Sequence, residues 1–81
     1  MIRLSLSGPL RAAAGNRAEM EIEATTIREL LDRLSEDYPK LKPLLEKGVA
    51  VSINGQIYRN AWYQPIPPES DVHLLPPLAG G

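Results

Sequence analysis

The sequence predicts an α+β domain: a mixed sheet lying on one side of a single main helix, in the order ββαβββ. Three observations carry that prediction. Several short runs alternate apolar with polar residues, as half-buried strands do, and one stretch from Ile27 to Tyr38 has helical spacing instead. The strands are grouped before and after that helix, which is the α+β pattern rather than strict βα alternation. At 81 residues the chain has room for one domain and a modest core.

Ile2, Leu4 and Leu6 alternate with Arg3, Ser5 and Ser7 and are stopped by Gly8-Pro9, which makes the first strand. Leu10 to Arg17, with Ala12-Ala13-Ala14-Gly15-Asn16 inside it, reads as a loop with a short helical turn. Met20 and Ile22 alternate with Glu19, Glu21 and Glu23, so the second strand forms a hairpin with the first and carries an acidic outer face. Glutamates in that position guard a sheet edge against unwanted pairing. Thr26-Ile27-Arg28-Glu29 is a capping box: the threonine hydroxyl takes a first-turn N–H, and the glutamate reaches back. Ile27, Leu30, Leu31, Leu34 and Tyr38 then face the core until Pro39 ends the helix, because a residue before proline avoids the α region.

Leu41, Leu44 and Leu45 suggest a second short helical piece, with Gly48 as its stop. Val49, Val51 and Ile53 alternate as a third strand, and Asn54-Gly55 signals a tight hairpin into a return strand at Ile57-Tyr58. The segment 60–68 is irregular; its Trp62 and Tyr63 are expected to help close a small core, with exposed interface anchors as the alternative. Val72 and Leu74 form the last strand, which runs directly into Leu75-Pro76-Pro77-Leu78-Ala79-Gly80-Gly81.

Composition narrows the function. A net charge of −1 offers no footprint for nucleic acid or an anionic membrane. No apolar run approaches a membrane span, and the first residues are too short for a secretory signal, so a cytoplasmic location is expected. The absence of cysteine excludes disulfides and thiolate metal sites. A single histidine leaves no ligand set for a metal either.

The tail is the most informative stretch. Two glycines at a free C-terminus have no Cβ, so the terminal carboxylate sits on a thin arm that can enter a channel closed to any side chain. The preceding prolines favour an extended chain, so the arm is expected to project. Residues 1–75 are therefore read as the folded domain and 76–81 as a reactive tail, with the carboxylate of Gly81 as the reacting group.

Gly8-Pro9-Leu10-Arg11, Ala14-Gly15, Thr25-Thr26-Ile27-Arg28-Glu29-Leu30-Leu31, Val51-Ser52-Ile53-Asn54-Gly55 and Asp71 to Gly81 together resemble the sulfur-carrier branch of the ubiquitin-like β-grasp proteins. That branch contains the small subunit of molybdopterin synthase and the thiamine-pathway carrier. The resemblance implies that Gly81 is adenylated by a ubiquitin-activating-type adenylyltransferase using ATP and magnesium. A sulfur donor then displaces AMP to leave a thiocarboxylate, and a synthase subunit accepts the sulfur. The carrier itself is expected to bind no cofactor, to be no enzyme, and to be a monomer when free. Gly80, Ala79, Leu78 and Pro77 map to the narrow arm, with Leu78 as an anchor. The segment 60–68 is bulkier than the short turn of the molybdopterin and thiamine carriers. A ubiquitin-like modifier joined to lysines through Gly81 uses the same tail, and a plain β-grasp binding module is the bland alternative.

Two further surfaces offer candidate sites. His73 and Asp71 share a strand face and can be drawn as a triad with Ser5 or Ser7, but an open sheet face neither excludes water nor builds an oxyanion hole. The same outward face carries Ser5, Ser7, Ala50, Ser52, His73 and Leu75, mostly small and uncharged, and it leads into the tail. It is expected to be a partner-docking face, since interface centres are depleted of charge.

Overall fold

The apolar half of each strand folds onto one side of a five-stranded sheet, with the main helix laid across it. A computed structural model describes residues 1–59 and 61–75. In chain order the elements are β1 (Ile2–Leu6), α1 (Pro9–Ala13), β2 (Glu19–Ile22), α2 (Ile27–Asp37), a 3₁₀ turn (Pro39–Leu41), α3 (Lys42–Glu46), β3 (Ala50–Ile53), β4 (Gln56–Arg59) and β5 (Asp71–Leu75). The ββαβββ expectation holds, with α1 and α3 as short additions.

The strand order is β2-β1-β5-β3-β4, so the last strand lies at the centre. It runs parallel to β1 and antiparallel to β3, which makes the sheet mixed. Leu4 is paired with Val72, Leu6 with Leu74, and Val51 with Leu74, which stacks the inward residues of three strands under the helix. Ile27, Leu30, Leu31 and Leu34 of α2 are buried over them, as their spacing predicts. At about 25 cal/mol per Å² of apolar surface removed from water, this layer is the main stabilising term of the domain.

Local chemistry fixes the ends of the elements. The Thr26 hydroxyl accepts the Glu29 amide at 3.2 Å. Glu29 Oε1 in turn accepts the Thr25 amide at 3.0 Å, one residue earlier than the expected return contact to the cap. At the β3–β4 turn both Asn54 (φ 50) and Gly55 (φ 90) have positive φ, as a tight hairpin of the right twist requires. Asn54 then reaches β5: its amide N–H donates to the Asp71 carbonyl at 2.8 Å, and its Oδ1 accepts the Asp71 amide at 2.9 Å.

The short helical turn expected after β1 is α1, which drives Leu10 into the core, and Ala14 at its end is equally inaccessible. One expectation needs correction. Trp62 and Tyr63 do not close the core; they are 45% and 74% exposed. The reason lies in the backbone of their segment. The Trp62 carbonyl accepts the Arg28 amide at 2.8 Å, and the Gln64 carbonyl accepts the Ile27 amide at 3.1 Å. These are two of the amides that a helix start leaves unpaired. With its carbonyls aimed at α2, the segment turns both rings outward and contributes Ile66 to the core instead.

Candidate functional site

Paired residues of neighbouring strands share a face, so the sheet register lays out the surface opposite α2 in rows. One row runs Glu19, Ser5, His73, Ser52, Ile57 across all five strands. The next row, nearer the end of β5, runs Leu75, Ala50, Arg59. A third, at the start of β5, runs Glu21, Arg3, Asp71. The register therefore brings together four of the sequence-predicted site residues: Ala50, Ser52, His73 and Leu75. The other predicted site residues, Pro77, Leu78, Ala79, Gly80 and Gly81, lie outside the described residues.

The face is not the flat, open surface that alternation suggested. His73 is exposed and Leu75 half-buried, but Ala50 and Ser52 retain only 8% and 9% exposure. Both are short side chains on a strand flanked by taller ones, His73 and Leu75 on β5 and Ile57 and Arg59 on β4. The face is thus a trough with a small-residue floor, and its rims make first contact with any partner. Ile57 is 56% exposed on that rim, an apolar contact the sequence reading did not single out. Its outward position was readable from the Asn54-Gly55 turn, which fixes the phase of the return strand.

Electrostatics on the face are mild. Arg3 and Asp71 approach at 3.7 Å with both side chains well exposed, a pair of little energetic weight. No hydrogen bond among the described residues joins the Asp71 carboxylate to His73, so the paper triad lacks its orienting contact. Among the described residues no group of three His, Asp or Glu side chains is placed to hold a metal ion. Nor is any described helix long and apolar enough to cross a membrane.

The hollows of the surface are small. An apolar one of about 10 Å³, lined by Ile27, Leu31, Val51, Tyr58 and Trp62 among others, has room for one water at most. An open polar notch of about 230 Å³ lies between Met1, Arg3, Glu21 and Glu69. Both fall below the roughly 300–1,000 Å³ of ordinary ligand pockets. What the described surface offers is an open sheet face rather than a ligand pocket.

Comparison with known proteins agrees with that architecture. No curated protein sequence matches the chain. Small archaeal modifier protein 1 from Methanosarcina acetivorans is similar in structure with a TM-score of 0.83 at 25% identity, over 99% of this chain and 95% of that one. A chain of the complex of subunits 1 and 2 of the molybdopterin-converting factor from Helicobacter pylori is similar with a TM-score of 0.70 at 26% identity, over 99% and 97%. A chain of the BexX/CysO complex from Amycolatopsis orientalis shares the fold, with a TM-score of 0.80 at 19% identity over 100% of both chains. The ubiquitin-like β-grasp expectation is borne out. The ThiS family model matches residues 4–81, nearly the whole sequence, and the chain belongs to the ThiS family.

Proposed function

We propose that this chain is a sulfur carrier and not itself an enzyme, built as a β-grasp body over residues 1–75 with a reactive arm over 76–81. The carboxylate of Gly81 attacks the α-phosphorus of ATP, held with magnesium by a ubiquitin-activating-type adenylyltransferase, and pyrophosphate leaves. A carboxylate is a poor electrophile until it carries such a leaving group. Hydrosulfide released from a sulfur donor then attacks the acyl carbon and AMP departs, leaving a thiocarboxylate. That sulfur is a nucleophile without help from a neighbouring side chain, so the carrier supplies reach and recognition while its partners supply catalysis. The accepting partner is a synthase subunit, of the molybdopterin type in preference to the thiamine type.

The observation that carries this reading is the family match, which runs through Leu78-Ala79-Gly80-Gly81. The trough on the sheet supports it: its half-buried Leu75 is the last described residue before that arm. The preference for a molybdopterin-type partner rests on similarity to the Helicobacter pylori complex.

A second reading has an observation of its own. Similarity to small archaeal modifier protein 1 favours a modifier, in which an amine rather than sulfur displaces AMP and Gly81 ends on a lysine. Intact-mass analysis of the protein from its native cells separates the two. Exchange of one terminal oxygen for sulfur is the carrier result. The last tryptic site is Arg59, so a modifier would leave residues 60–81 attached to target lysines. An unaltered carboxylate with no such conjugates would overturn both.

A further inference from the structure

We propose that two copies of this chain pair through the free edge of β4, in an antiparallel ladder centred on Ile57. The sheet has two edges, β2 and β4, and they are built differently. Exposed Glu19 and Glu21 stand on β2. On β4 the sequence is Gln56-Ile57-Tyr58-Arg59, with no lysine, proline or break in register to discourage pairing, and with Ile57 56% exposed.

Backbone parity points the same way. The two-residue turn makes Ile53 and Gln56 a hydrogen-bonded pair, and Val51 and Tyr58 repeat it two residues on. The N–H and C=O of Ile57 and Arg59 therefore point away from β3, and no turn or loop bond among the described residues engages them. A two-fold axis at Ile57 lets the two Ile57 backbones exchange both bonds and sets their side chains directly opposite on the trough side. Gln56 then faces Tyr58 of the second copy across the other side of the sheet.

Charge selects this pairing over the others open to identical chains. Joining β2 to β2 about Met20 would set Glu19 against Glu21 twice, and like charges directly opposite destabilise a ladder. Joining β4 to β2 would set Ile57 beside a glutamate, and it would leave edges open for endless addition. Only β4 with β4 places apolar against apolar and closes. The contact is short, four residues a side. It falls well under the roughly 1,000 Å² of a stable interface, so the dimer is weak, with a Kd on the order of a millimolar. Ile57 also stands on the rim of the trough, but the ladder is read from self-association of the chain alone, whereas the sulfur-carrier reading is tested at Gly81, so the two can fail separately.

Sedimentation equilibrium from micromolar to roughly millimolar protein should show reversible dimerisation. Ile57→Lys, which sets two charges face to face, should weaken it about tenfold or more. Ile57→Pro removes only an N–H that points outward, so it should abolish pairing while circular dichroism still reports the native fold. The chain has no cysteine, so Ile57→Cys gives a clean cross-link. A hydrogen-bonded antiparallel pair holds its Cα atoms about 5.5 Å apart, inside the range a disulfide spans. Ile57→Cys should oxidise to a dimer much faster than Glu21→Cys. A single monomeric species at every concentration would overturn the proposal, as would a dimer indifferent to Ile57→Pro or equal cross-linking at both edges.

Discussion

Asn54 shows how much one side chain can settle. It accepts the positive φ of the turn and binds the first residue of β5 through both its backbone and its side chain. Its Nδ2 also donates to the Ser70 hydroxyl at 3.3 Å, and that hydroxyl donates to the Pro67 carbonyl at 2.6 Å. Asn54→Gly keeps the turn and loses the side-chain bonds, and should cost about 1 kcal/mol in urea melts. Asn54→Ala adds strain at positive φ and should cost more. Equal stability of both variants with the wild type would remove the clamp from the account. Ser52 tests the trough. Ser52→Arg raises a charge from its floor between His73 and Ile57, and should weaken binding to the activating enzyme or synthase about tenfold without unfolding the sheet. Wild-type partner affinity would mean that this face is not where partners dock.

At the scale of elements, α2 separates scaffold from function. Thr26→Ala loses one first-turn bond and should destabilise by about 1 kcal/mol. The loss stays confined because the Trp62 and Gln64 carbonyls still hold the Arg28 and Ile27 amides. Tail adenylation should be unchanged. Parallel loss of stability and adenylation would show that the helix start belongs to the functional surface.

This helix also shows what the sequence made legible. Its cap is a short-range pattern of side chains, Thr26 with Glu29, and so it reads directly. Its other amide partners are carbonyls from residues 62 and 64, which leave no side-chain signature, and the aromatic residues above them suggested packing that does not occur. The trough follows the same logic. Alternation gives the face of Ala50 and Ser52, but their shielding depends on β5 and β4 standing beside β3, a long-range fact of strand order. Of the site itself, the body residues could be placed by register, while the glycine arm was legible only as sequence.

At the scale of the whole molecule, the order β2-β1-β5-β3-β4 gives β5 a ladder on both sides, and in the proposed function that central strand anchors the arm 76–81 for the activating enzyme. In the sequence that arm comes after the last strand of the sheet. Gly80→Val should therefore leave thermal stability unchanged and sharply reduce adenylation, since a β-branched side chain both stiffens and widens the arm. Deletion of Gly81 bears most directly on the central claim. In ATP–pyrophosphate exchange with the cognate activating enzyme, the deleted protein should fold normally and show no exchange above background. Exchange at the wild-type rate would mean that the Gly81 carboxylate is not the reacting group, and the carrier and modifier readings would fall together.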